Sequence, residues 1–152
     1  MKVILDIHEK HKESSITIKS GQLDDTIEEI LEIAKKDSVK FILGKQGNSQ
    51  HLLKPDTIHY FQADGDKIVA FTQSSTYMIK EKLYELEQLL PSTSFIRLSK
   101  ALIANLQHVS HFEPSFNGTL GVHFRCGRKE YASRHYVGAL KEILNNNRRD
   151  KK

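Results

Sequence analysis

Cysteine is almost absent from this chain, and long apolar runs are absent altogether. One cysteine, Cys126, occurs in 152 residues. It has no partner for a disulfide within the chain, which excludes a disulfide-stapled secreted scaffold. No window approaches the roughly eighteen consecutive apolar residues that a membrane-spanning helix needs. The first residues, Met1–Asp6, reach an acid before a signal-peptide apolar region can form. These absences predict a cytoplasmic protein. No pair of consecutive helical patterns flanks a tight turn, so no helix-turn-helix is expected. No alternating βαβ series occurs, which excludes a phosphorylated receiver domain around Asp24 or Asp25. No Ser-His-Asp order, glycine-rich phosphate loop or paired-carboxylate signal stands out. The expectation is therefore a protein that is not an enzyme, with no cofactor and no small-molecule substrate.

What is present supports a folded domain with a modest extension. Hydrophobic residues make up 38% and charged residues 28%, enough for a core and a soluble surface. The net charge of +4 is unevenly spread. Residues 92–152 hold eleven Lys and Arg against four Asp and Glu, a net of +7, while residues 1–91 carry −3. A polyanionic partner suits such a basic half. A solvated basic tail explains it about equally, since Arg148, Arg149, Lys151 and Lys152 supply four of the eleven.

The chain opens with two strand patterns, Val3–Ile7 and Ser15–Ile18, around a polar stretch. From Leu23 the apolar period becomes helical, through Ile27, Ile30, Leu31 and Ala34. Residues 1–38 thus read as a β-β-α segment. Strands follow at Val39–Leu43, Leu52–Leu53, Ile58–Gln62, Ile68–Thr72 and Thr76–Ile79, with a tight turn at Asp64-Gly65. Glu81–Leu90 reads as a short amphipathic helix closed by Pro91. Phe95–Arg97 and Val109–Phe112 are short strands around the segment Leu98–Asn105. Asn117-Gly118 joins Glu113–Phe116 to Leu120–Arg125, and Gly127-Arg128 turns into Glu130–Ala132. Ser133 is placed to cap a last helix carrying Val137, Leu140, Ile143 and Leu144. Residues 147–152 form a charged tail. The fold class is α+β, predominantly β.

Four blocks in this order resemble one family. Ile58-His59-Tyr60-Phe61-Gln62-Ala63 is similar to its opening strand. Glu85-Leu86 and Leu89-Leu90-Pro91 resemble a helix that ends in Leu-Pro. Phe95 to Leu106 resembles a phenylalanine-x-arginine run that ends in a buried asparagine, here Asn105. Ser133-Arg134-His135-Tyr136 resembles a last signature of serine, basic residues and an aromatic. Together these blocks make residues 39–146 resemble the LytTR DNA-binding family. The resemblance implies an elongated arrangement of short β-sheets with a few short helices. It also implies a transcriptional regulator that reads successive major grooves of double-stranded DNA with loop side chains, at paired sites. The major groove admits such readers, because each base pair presents a distinct donor and acceptor pattern there.

The same resemblance places contacts in three regions. The first is the loop 64–67, where Lys67 reaches a phosphate or a guanine edge, or where the loop is a plain hairpin tip. The second is Arg97, Ser99 and Lys100. Lys100 carries a compact charge suited to a guanine edge or a phosphate. The third is Ser133, Arg134 and His135, at a helix N-terminus whose free amides favour anions. Asn105 reads as structural, since an asparagine in an apolar segment usually bonds backbone. Tyr131 and Tyr136 read as core or packing residues rather than base stackers. A homodimer on DNA and a membrane-protein regulator are the further partners the resemblance implies, with residues 1–38 dimerising or regulatory.

Two other readings come from the residues alone. One is a protein–protein interaction module whose basic surface meets an acidic protein. The other is a metal-dependent enzyme or sensor built on His8-x-x-His11 or His108-x-x-His111. No cysteine or acid cluster of ligand type lies close in sequence to either pair. Side chains three apart on a strand also face opposite ways, so no metal site is expected. Cys126 lies between Arg125 and Arg128, which can activate a thiol; a plain turn thiol is the simpler reading.

Overall fold

The computed structural model describes residues 2–11, 15–36 and 40–149. In chain order the elements are α1 (Asp25–Lys36), β1 (Ile42–Gln46), β2 (Ser49–Leu53), β3 (Tyr60–Asp64), β4 (Lys67–Phe71), β5 (Thr76–Ile79), α2 (Leu83–Leu89), β6 (Phe95–Ser99), β7 (Leu102–Asn105), β8 (Val109–Pro114), β9 (Leu120–Phe124), β10 (Lys129–Ala132) and α3 (Arg134–Arg149). Seven strands pair in the order β2-β1-β5-β4-β3-β7-β6, and three more in the order β10-β9-β8. Every pairing is antiparallel. The architecture is mostly β with three helices, as the residue patterns indicate.

The large sheet has an apolar layer on each face, as a period of two residues per repeat requires. Phe61 and Ile103 face α2, where they meet Leu83, Leu86 and Leu90. Their neighbours Tyr60, Leu102 and Ala104 face the small sheet and α3, where they meet Val122, Phe124, Val137 and Leu140. Burial, reinforced by the nearby Glu130 carboxylate, pushes the Tyr60 phenol well up, so it stays protonated.

Three expectations change. Strands do not form at residues 3–7 and 15–18. Val3, Ile4, Leu5 and Ile7 stay largely exposed, with Val3 at 79%. A strand needs a ladder partner, and among the described residues none pairs with these segments. The helix of that segment does form, and Asp24 caps it: its Oδ1 accepts from the Ile27 amide at 2.9 Å. Second, the segment Leu98–Asn105 contains a strand, β7. All four of its residues are buried, so it shows no alternation. Third, α3 continues to Arg149, past the start of the expected tail at 147; residues 150–152 lie outside the described residues. The expected strand start at Val39 also falls outside them, and β1 begins at Ile42.

Candidate nucleic-acid interface

The candidate contact residues converge at one end of the large sheet. Strands β3 and β4 turn at Gly65-Asp66, where Gly65 takes a φ of 65°. That left-handed backbone costs a glycine little and most residues more. Lys67, exposed, faces Asp64 across this hairpin. Ile68 pairs with Ile79, so Lys80 leaves β5 beside the start of β4. Strands β6 and β7 turn at Lys100-Ala101, at the same end of the sheet, because Gln62 of β3 pairs with Leu102. The Ala63 amide donates to the Ala101 carbonyl at 2.8 Å and fastens this turn to β3.

Arg97 organises the second turn from within. Its Nε donates to the Ser99 carbonyl at 2.7 Å and its Nη2 to the Lys100 carbonyl at 2.6 Å. Its Nη1 pairs with the Glu87 carboxylate on α2. A register shift between Arg97 and Ser99 bends the strand there. Ser99 Oγ accepts from the Ala101 amide at 3.2 Å, which leaves its hydroxyl proton free to donate outward. Lys100 is exposed.

The third region joins the second through one hydrogen bond. The Ser133 amide donates to the Leu98 carbonyl at 2.8 Å, docking the start of α3 beside β6. The Tyr136 amide then closes onto the Ser133 carbonyl at 2.9 Å. Arg134 and His135 are exposed, and the His135 ring meets Tyr136 edge-on at 5.2 Å. The turn Phe116–Gly118, between β8 and β9, backs Arg134. Gly118 has a φ of 77°, and a Cβ there would lie 3.1 Å from Arg134 Cγ and Cδ.

Two lysines join this surface that residue patterns did not single out. A cleft of about 280 Å³ lies between Asp66 and Arg97, rimmed by Lys80, Lys82 and Lys100. Lys80 and Lys82 flank Glu81 just before α2, a pattern that reads as an ordinary solvated helix start. The acids Asp64, Asp66 and Glu87 share this end of the molecule, so its positive charge is graded rather than uniform.

Other residues singled out in the sequence lie elsewhere. Asn105 is fully buried; its Nδ2 donates to the Ile58 carbonyl at 2.9 Å and its Oδ1 accepts from the Gln107 amide at 3.1 Å. Tyr131 is 51% exposed under the Lys129 ammonium, so it packs on the surface rather than in the core. Cys126 Sγ sits 3.4 Å from His59 Nδ1, and the Arg128 guanidinium donates to the Thr72 carbonyl over the Phe71 ring. Burial lowers the His59 pKa, with smaller contributions from His108 and Arg128. His11 pairs with Asp6 at 3.1 Å, while His8 accepts from the Lys10 amide.

Comparison with known proteins places this geometry. Two Staphylococcus aureus proteins, described as uncharacterized HTH-type transcriptional regulators, are similar over 145 residues. That of strain MSSA476 is 29% identical and that of strain NCTC 8325 is 28% identical, each covering 95% of this chain and 98% of the relative. In this chain β6–β10 separate α2 from α3, so no two described helices are adjacent in a helix-turn-helix. The solved LytTr DNA-binding domain of a Bacillus cereus protein superposes with a TM-score of 0.68 at 23% identity. That match covers 70% of this chain and 98% of that domain, and it concerns the fold. The family model of the LytTr DNA-binding domain matches residues 48–145, and no helix among the described residues is long and apolar enough to cross a membrane. The chain belongs to the LytTR family of DNA-binding domains, a family of transcriptional regulators rather than enzymes.

Proposed function

We propose that the chain regulates transcription by reading double-stranded DNA with three loops at one end of its large sheet. The observation that carries this reading is the hydrogen-bonded convergence of the Lys100 turn and the start of α3. Ser133 is bound to Leu98 and Ala101 to Ala63, so the two regions are held in a fixed relation to each other and to β3. Rigid support of this kind is what base readout from loops requires. In this reading Lys100, Arg134 and His135 reach base edges or phosphates in a major groove. Ser99 and Ser133 hold phosphates, and Lys67 contacts the backbone beyond them. Arg97 acts through the turn: its guanidinium shapes the loop that presents Lys100.

Paired sites and a homodimer on DNA belong to the same proposal. In residues 15–36, α1 exposes Leu31, and Leu23 precedes it, also exposed. A groove of about 400 Å³ there is lined by Ile16, Ile18, Leu23, Ile27 and Ile30. Apolar surface of this kind suits contact between two copies or with a membrane-bound regulator. Hydroxyl-radical footprinting on the promoter of the protein's own operon tests the arrangement. Two copies of one protection pattern, on one face of the duplex and offset by a whole number of helical turns, are expected. A single copy of the pattern, or uniform protection, overturns the paired reading.

A further inference from the structure

We infer that the outer face of the small sheet carries a binding site for a divalent ion of the zinc class, formed by His111, Glu113 and His123. His111 and Glu113 are two apart on β8, so they share a face. His123 is the cross-strand partner of His111 on β9. One ligand atom from each of the three lies within 4.8 Å of the other two.

The distances suit a small tetrahedral ion. Zinc bonds of about 2.0–2.2 Å put ligand atoms roughly 3.3 Å apart. His123 Nε2 and Glu113 Oε2 are 3.2 Å apart. The His111 and His123 rings stack with centroids 4.2 Å apart and planes 8° apart, so binding one ion requires the exposed His111 ring to tilt out of this stack. Ser110 Oγ lies 2.9 Å from His111 Nδ1, a neighbour that orients the ring as outer partners of metal-bound histidines do. Two imidazoles and one carboxylate favour zinc, cobalt or nickel over calcium or magnesium, which prefer oxygen. Solvent completes the coordination, since His111 and Glu113 are exposed.

One cation neighbours the site. Lys129 faces His123 across β9 and β10, but its ammonium rests 5.1 Å from the centre of the Tyr131 ring. The pair suggested by spacing alone, His108 and His111, is divided by the fold: His108 stacks on His59 at 4.0 Å, away from the small sheet's outer face. The ligands come instead from a two-residue spacing and a cross-strand partner, which only the register of β8 and β9 brings together.

Titration of the full-length, untagged protein with Co²⁺ and Zn²⁺ tests the inference, read by visible absorption and by calorimetry. Wild type should bind one equivalent, and Zn²⁺ should raise its Tm. His123→Gln and Glu113→Gln should each weaken binding by about tenfold or more. His8→Gln/His11→Gln should bind as wild type does. Circular dichroism confirms that each variant is folded. No binding by folded wild type, or equal affinity in folded His123→Gln, overturns the site.

Discussion

The Nη2 of Arg97 donates to the carbonyl of Lys100 at 2.6 Å, so the charge of one residue is spent on the shape of the loop that presents the other. The Glu87 carboxylate takes a second edge of the same guanidinium. An arginine that the family resemblance places at a contact thus also bonds within the chain.

This relationship separates two kinds of variant. Lys100→Ala should weaken promoter binding and lower the slope of log affinity against log salt by about one, because one phosphate-type charge is lost. Arg97→Lys keeps the charge but cannot span both carbonyls, so it should weaken specific binding by roughly tenfold with a nearly unchanged slope. Combined, the two should cost less than the sum of their separate effects. Fluorescence anisotropy over a range of salt concentrations checks all three; full additivity would show that Arg97 contacts DNA independently.

Gly118→Ala tests the support behind Arg134. The substitution forces an L residue to a φ of 77° and places a methyl 3.1 Å from the Arg134 side chain. It should cost about 1–2 kcal/mol in stability and reduce promoter affinity beyond that loss, with Arg134 displaced. Urea unfolding and anisotropy on the same sample read the two effects.

Asn105→Ala should leave the Ile58 carbonyl and the Gln107 amide without their side-chain partner. About 2–4 kcal/mol of destabilisation is expected from these losses in a buried setting. DNA affinity per folded molecule should stay unchanged, since Asn105 is fully buried. Denaturant midpoints, compared at equal folded fraction, decide it.

The pH dependence of stability follows from His59. Burial, then His108 and Arg128, lower its pKa from 6.5 in the folded chain. The unfolded chain therefore takes up this proton first as the pH falls. The full stability is present above the unfolded value. It declines as the pH drops through and below that value, by at most about 1.4 kcal/mol per pH unit from this group, and levels off below the folded pKa. His59→Gln should flatten this limb in melting curves between about pH 5 and 8. An unchanged limb would assign it to other groups.

How far the residues alone disclose this molecule differs by element. Alternating strands such as β4 and β5, bounded by turn residues, announce themselves; Thr76–Ile79 matches its element end to end. Strand β7 does not, because both its faces are covered and its apolar run resembles any buried segment. Val3–Ile7 has a strand's pattern but no partner among the described residues, and pairing is a long-range property that local sequence does not contain. The candidate interface divides in the same way. Lys100, Arg134 and His135 enter as candidates through the family resemblance, and the fold brings the turn and helix start that carry them to one end of the sheet. The bonds of Arg97 within the chain, the addition of Lys80 and Lys82, and the grouping of His111 with His123 depend on register and on the approach of distant segments.

The most direct test is competition binding to the promoter of the protein's own operon, against excess non-specific duplex. Wild type would be compared with Lys100→Ala and His135→Ala at two salt concentrations. The account predicts that wild type stays on the promoter and that both variants are displaced by the competitor. Equal retention of all three would place specific readout on other residues, and equal binding of all three to any duplex would leave only a non-specific electrostatic surface; either contradicts the account.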